Sequence, residues 1–264
     1  MDIRNKKLFL LDIDGTVSLD ATLFPGSMDF FRHVTAAGGK YVFITNNSTK
    51  SIADYVKKFT RMGVPVDESS FVTATSATVR HLRAHHAQDK IYVVGTRSLV
   101  TELARAGLKA VTRLEDGVSC ALVGFDDELT YEKVRALCEL LFTRPKTAYL
   151  ATNPDLACPV GFGAIPDCGA ICGLIRCATG RDPLYIGKPN AIIVEMCLEQ
   201  TGFTREQTLV VGDRLYTDIA CGIAAGVDTA VVFTGEVKPE DLENSPFAPT
   251  FAFADIRALS KAVF

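Results

Sequence analysis

Short, fully apolar runs alternate with amphipathic segments along almost the whole chain, and this alternation restricts the fold more than any other feature of the sequence. The runs "KLFLLDI" and "KYVFITN" read as strands that are greasy on both faces. Between them, "GSMDFFRHVTAAG" places Met28, Phe31 and Val34 on one helical face and stops at Gly38 and Gly39. A strand that is apolar on both faces needs cover on both. Strands joined through helices lie parallel. The pattern therefore predicts an α/β fold: a Rossmann-like parallel sheet with helices on both faces.

The alternation continues. "SIADYVKKFTRMG" carries Ile52, Tyr55, Val56 and Phe59 at helical spacing and ends at Gly63; "SFVTA" follows as a strand. "KIYVVG", "CALVGFD" and "TAYLATN" are three further strands, separated by the helical segments "RSLVTELARAG" and "TYEKVRALCELLF". "NPDLACPVGFGAIPDCG", with Gly161 and Gly163, is read as a loop because of its glycine and proline content. After it come the helix "AICGLIRCATG", the short strand in "PLYIGKPN", the helix "AIIVEMCLEQTG", the strand "TLVVGD", the helix "YTDIACGIAAG" and the strand "TAVVFTG".

Four of these strands end in polar clusters: Asp12-x-Asp14-Gly15-Thr16, Thr45-Asn46-Asn47-Ser48, Gly187-Lys188-Pro189, and Gly212-Asp213 with Asp218 five residues on. Each alone has an ordinary explanation as a turn, a helix cap or a solvated loop. Together they are informative, because ligands of parallel sheets bind at the carboxyl ends of the strands. Asp12, Asp14, Thr45, Lys188, Asp213 and Asp218 are predicted to converge on one rim. Four carboxylates and one ammonium do not balance. A hard dication that prefers oxygen ligands and binds alongside a phosphate, as magnesium does, meets that need.

Bulk properties exclude other classes. With 264 residues the chain can bury a sizeable core, and its net charge of −3 gives no basic surface for nucleic acid or an anionic membrane. No apolar run approaches the roughly 18 residues that cross a bilayer. The basic start at Arg4, Lys6 and Lys7 is followed by a run broken at Asp12, so no signal peptide is expected. The eight cysteines show no Cys-x-x-Cys spacing and several sit in apolar segments, which fits free thiols in a cytoplasmic protein. His33, His81, His85 and His86 show no carboxylate or cysteine spacing suited to a metal and are read as surface residues.

The ordered set Asp-x-Asp-Gly-Thr, Thr-Asn-Asn-Ser, Gly-Lys-Pro and Gly-Asp-x-x-x-x-Asp resembles the haloacid dehalogenase-like hydrolase superfamily. "ITNNS", "ATNPD" and "GDRLYTDI" further resemble its subfamily IIA, the p-nitrophenyl phosphatase and NagD-like branch. The likeness runs from residue 8 to about residue 236. It implies a Mg2+-dependent phosphatase of small phosphomonoesters, sugar phosphates foremost, with p-nitrophenyl phosphate as a general substrate. Asp12 would be the nucleophile that forms an aspartyl-phosphate, and Asp14 the general acid and base. Thr45 and the backbone N–H of Asn46 would bind the phosphoryl oxygens together with Lys188. Asp12, the Asp14 carbonyl and Asp213 would hold the metal. Asp218 would bind it through water or orient Lys188.

Between Asp12 and Thr45 there is no room for a further domain, whereas between Thr45 and Lys188 there is far more chain than a parallel sheet needs. Residues 1–79 and 183–264 are therefore expected to form the catalytic core, and residues 80–182 a smaller α/β cap domain. In the cap, Asn153 and Asp155 are candidates for choosing the substrate; a turn cap is the alternative for both. The expected partner is a small phosphorylated molecule, with no nucleic acid and no membrane, and a homo-oligomer is compatible with this reading. Phosphotransfer to an acceptor other than water, and a binding protein without turnover, are the competing functions.

Overall fold

The computed structural model describes residues 2–264. The chain divides into two compact units. One comprises the residues up to Thr45, Ile52–Val72 and Lys188–Phe264; the other comprises Asn46–Ser51 and Thr73–Gly187.

The first unit is built on a six-stranded sheet in the order Phe251–Phe253, Asp228–Val232, Thr208–Gly212, Leu8–Leu11, Lys40–Thr45, Phe71–Thr73. All four residues of Leu8–Leu11 are buried, as its apolar sequence requires. This strand runs parallel to both neighbours, with Leu8 opposite Lys40 on one side and Thr208 on the other. Phe9, Leu11, Phe43, Leu209 and Val211 pack with Phe30, Phe31 and Val34 of the Ser27–Ala36 helix and Phe59 of the Ile52–Arg61 helix. Aromatic contacts lock this layer: Phe9 meets Phe30 edge-on at 5.2 Å, and Phe43 meets Phe59 in a tilted pair at 4.4 Å. The central parallel strands direct their carboxyl ends to one rim, where Asp12 follows Leu11, Thr45 closes its strand, and Asp213 follows Gly212.

The second unit has its own five-stranded parallel sheet, ordered Leu184–Tyr185, Ala148–Ala151, Val118–Val123, Lys90–Val94, Lys109–Val111. Its side chains sort with period two. Tyr92, Val94, Ala121 and Val123 belong to one core, and Ile91, Val93, Cys120 and Leu122 to another. Both faces are thus buried, which explains why these strands carry no polar alternation. Three of the unit's helices begin at threonine caps. The hydroxyls of Thr73, Thr96 and Thr130 accept from the backbone N–H groups of Ser76, Leu99 and Lys133 to start Ala74–His85, Arg97–Arg105 and Tyr131–Thr143. Cys168–Thr179 is a fourth helix.

Four features differ from the sequence expectation. The glycine- and proline-rich segment is not a plain loop. Ala157–Val160 and Gly163–Pro166 form an antiparallel hairpin, turned through Gly161 and Phe162 and with Gly163 at φ 143°. The segment "YTDIACGIAAG" starts as a π-turn over Leu215–Ile219 before the short helix Ala220–Ala224. The strand Leu184–Tyr185 before Lys188 belongs to the second unit's sheet, so Lys188 does not rise from the carboxyl end of a strand of the six-stranded sheet. Finally, Ala74–His85, Lys109–Val111, Phe251–Phe253 and Ile256–Val263 add elements that the apolar pattern did not single out. All eight cysteines are free, and among the described residues no helix is long and apolar enough to cross a membrane.

Candidate active site

The first unit gathers Asp12, Lys188, Asp213 and Asp218. The Lys188 ammonium donates to Asp12 Oδ1 and to Asp218 Oδ1, each at 2.6 Å, and to the Ile44 carbonyl at 3.3 Å. Its side chain is 2% exposed, against 13% for Asp12 and 1% for Asp218. Asp213 lies on the neighbouring strand end. Its carboxylate accepts from the Thr16 hydroxyl at 3.3 Å and from the Glu236 backbone N–H at 2.8 Å. Asp12, Asp213 and Asp218 each offer a carboxylate oxygen, and these oxygens lie within 4.8 Å of one another. Asp218 is thereby part of the carboxylate cluster itself. Its second oxygen accepts from the Arg214 backbone N–H at 3.2 Å, a bond closed by the π-turn.

The backbone permits this crowding because glycines stand where side chains would collide. Gly15 has φ 93°, a left-handed conformation, and a Cβ there would come within 2.5 Å of Asp213 Oδ2. Its carbonyl accepts from the Thr234 hydroxyl at 2.6 Å, which ties the Asp-x-Asp-Gly turn to the end of the Asp228–Val232 strand.

Electrostatics follow from burial and the excess of negative charge. Burial pushes the Asp213 carboxyl up to about 8, reinforced by the neighbouring charges of Asp12 and Asp218. Burial likewise raises Asp218 to about 6, with Lys188 pulling the other way. Burial works against the Lys188 charge, but Asp12 and Asp218 outweigh it and hold the ammonium well above the ordinary lysine range. Asp14 is separate from the cluster and partly exposed. Burial raises its carboxyl, while Lys58, 3.7 Å away, opposes the rise. Three clustered carboxylates with one ammonium carry a net negative charge and offer only hard oxygen donors. This donor set fits a divalent cation of the magnesium type.

Thr45 is buried at the end of its strand, beside the Ile44 carbonyl that Lys188 reaches. Asn46, Asn153 and Asp155 form a group of their own within the second unit, and all three are buried. The Asp155 carboxylate accepts from the Asn46 side-chain amide at 2.6 Å and from the Asn153 amide at 2.8 Å. The Asn153 amide also donates to Asp167 at 3.1 Å. Thr152 donates to the Asn153 carbonyl oxygen at 2.7 Å and shares a hydrogen bond with Ser48 at 3.1 Å. The polar run after Thr45 is thus bonded through Asn46 and Ser48 to the "ATNPD" turn.

Sequence reading missed Lys58, Thr234 and Glu236. Lys58 sits inside an ordinary amphipathic helix, where a lysine pair reads as a solvated face. Thr234 and Glu236 follow an apolar strand in "VVFTGEV", which carries the same strand-end signal as the other clusters.

Comparison with known proteins shows the family. Residues 9–109 match the haloacid dehalogenase-like hydrolase family, and residues 185–259 match the HAD-hydrolase-like family. The acid sugar phosphatase of Staphylococcus aureus is 32% identical over 254 residues, covering 96% of each chain. The crystal structure of 4-nitrophenylphosphatase from Thermotoga maritima superposes with a TM-score of 0.91 at 39% identity, covering 99% of both chains. NagD from Escherichia coli superposes with a TM-score of 0.84 at 31% identity, covering 96% of this chain and 97% of that one. The chain belongs to the haloacid dehalogenase-like hydrolases, in the subfamily IIA branch of NagD-like and 4-nitrophenylphosphatase proteins.

Proposed function

We propose that the chain is a Mg2+-dependent phosphomonoesterase acting on small phosphorylated molecules, sugar phosphates foremost. One observation carries the reading: a buried ammonium bridges Asp12 and Asp218 within a cluster that remains net negative. The relatives named acid sugar phosphatase and 4-nitrophenylphosphatase support the same substrate class.

In this mechanism an Asp12 oxygen attacks phosphorus while the bond from phosphorus to the ester oxygen breaks. The result is an aspartyl-phosphate and a leaving alkoxide. Asp14 protonates that alkoxide; the raised affinity of its carboxyl for a proton suits it to this role. In the second half Asp14 takes a proton from water, whose oxygen attacks phosphorus and releases inorganic phosphate with Asp12 restored. Lys188 fixes the Asp12 carboxylate and offsets the charge that builds on the phosphoryl oxygens. Thr45 and the Asn46 backbone N–H donate to those oxygens. Asp12, the Asp14 carbonyl and Asp213 would hold magnesium, which supplies positive charge against the phosphoryl group. Asp218 would orient Lys188.

The second unit takes the part of the cap expected from the family, with Asn153 and Asp155 acting on specificity through the turn they organise. Eight free cysteines support a cytoplasmic location.

The test is phosphate release from p-nitrophenyl phosphate, with magnesium present and after chelation. Wild-type protein turns over only with the metal, and Asp12→Asn falls to background while keeping its circular dichroism. Full activity in Asp12→Asn, or metal-independent turnover, would refute the reading.

A further inference from the structure

The Ala74–His85 helix ends in three histidines that the phosphatase reading does not use. His81 and His85 are one helical turn apart, on one face. Their ring centroids lie 4.6 Å apart, and the ring of His86 is 5.9 Å from that of His81. His86 closes the helix, its backbone N–H donating to the Leu82 carbonyl at 2.7 Å. Its Nδ1 is 2.7 Å from Asp89 Oδ2, and Asp89 Oδ1 accepts from the Ser119 hydroxyl at 2.8 Å.

We propose that His81, His85 and His86 form a binding site for a transition-metal dication of the zinc or nickel type. Imidazole is the preferred ligand of such ions, whereas the carboxylate cluster presents only oxygen. A pair of histidines one turn apart on a helix can grip a single ion with two ring nitrogens. The Asp89 carboxylate fixes the His86 ring with Nδ1–H as donor. That leaves Nε2 as the free, electron-rich nitrogen, the arrangement of a carboxylate–histidine–metal relay. Ser119 in turn anchors Asp89, so the relay is held from the neighbouring Val118–Val123 strand. Without an ion the three histidines do not bring one nitrogen each within 4.8 Å of one another, so the site closes by His81 and His85 turning toward the fixed His86 ring, and His85 is exposed at the helix end.

The experiment is calorimetric titration of the full-length, tag-free protein with nickel in saturating magnesium, which occupies the oxygen-donor site. Wild type is expected to take up one nickel ion per chain. His85→Ala should lose that binding, and Asp89→Asn should weaken it by about 10-fold, the usual effect of removing a partner that orients a ligand. Circular dichroism of the exposed His85→Ala variant controls for folding. No nickel uptake by wild type, or unchanged uptake by His85→Ala, would overturn the proposal. So would uptake lost in Asp213→Asn but kept in His85→Ala, which would put the ion on the carboxylates.

Discussion

Lys188 sets the charge balance of the site. Its ammonium is buried between Asp12 and Asp218 at 2.6 Å from each, so neither carboxylate next to it is left to face the protein interior alone. Removing the ammonium strands Asp218, which is almost wholly buried. Breaking a buried pair from one side costs about 3–5 kcal/mol. Lys188→Met should therefore lower the unfolding free energy by that order in urea and abolish phosphate release, even though the methionine fills the same volume. A melt unchanged from wild type would mean that the pair contributes nothing to stability. At the same scale the sequence was partly legible. Asp12, Lys188 and Asp213 were readable because each follows an apolar run, and Asp218 because it stands five residues after Asp213. Lys58 was not, because nothing in a helix sequence marks which lysine will face a carboxylate brought from another strand.

At the scale of elements, the turn after Ala148–Ala151 carries a dense polar network. Asp155 accepts from two side-chain amides, those of Asn46 and Asn153, and both donors are buried. Asp155→Ala removes the acceptor that the Asn46 and Asn153 amides share, and each buried hydrogen bond lost without replacement costs about 1–3 kcal/mol. It should lower Tm and raise KM for p-nitrophenyl phosphate more than it lowers kcat, because it loosens the segment after Thr45 and spares Asp12. Unchanged stability and KM would show that the network is dispensable. Most strands of both sheets were legible here, since a strand buried on both faces must be apolar throughout. The helix Ala74–His85 was not. Its buried positions include Ala74, Thr75, Ala77 and Thr78, too small and too polar to make an apolar stripe. The hairpin Ala157–Val160 and Gly163–Pro166 was hidden for a different reason. Its residues are half-buried or exposed, so burial imposes no pattern, and its glycines and prolines argue for a loop.

At the scale of the whole molecule, two units with separate parallel sheets are threaded by one chain, and the carboxylate cluster links folding to metal and pH. In the metal-free protein Asp213 binds its proton up to about 8, against an ordinary value of 3.8 in an unfolded chain. The folded state thus holds the proton more tightly. This group's contribution to stability is complete in acid and is lost as pH rises through about 8. Asp218, raised to about 6, has the same sign. Magnesium must displace these protons, so its binding strengthens as they leave. The rise in Tm on adding magnesium should be larger at roughly pH 8.5 than at roughly pH 5.5. An equal or larger rise in acid would contradict a carboxylate site.

The most direct measurement is a single-turnover reaction with a phosphomonoester in magnesium, quenched in acid and followed by peptide mass spectrometry. The account predicts a transient phosphoryl group on the peptide carrying Asp12, absent in Asp12→Asn and longer-lived in Asp14→Asn, where the water-activating base is missing. Phosphate released with no covalent label at any time, or a label on a residue other than Asp12, would contradict it.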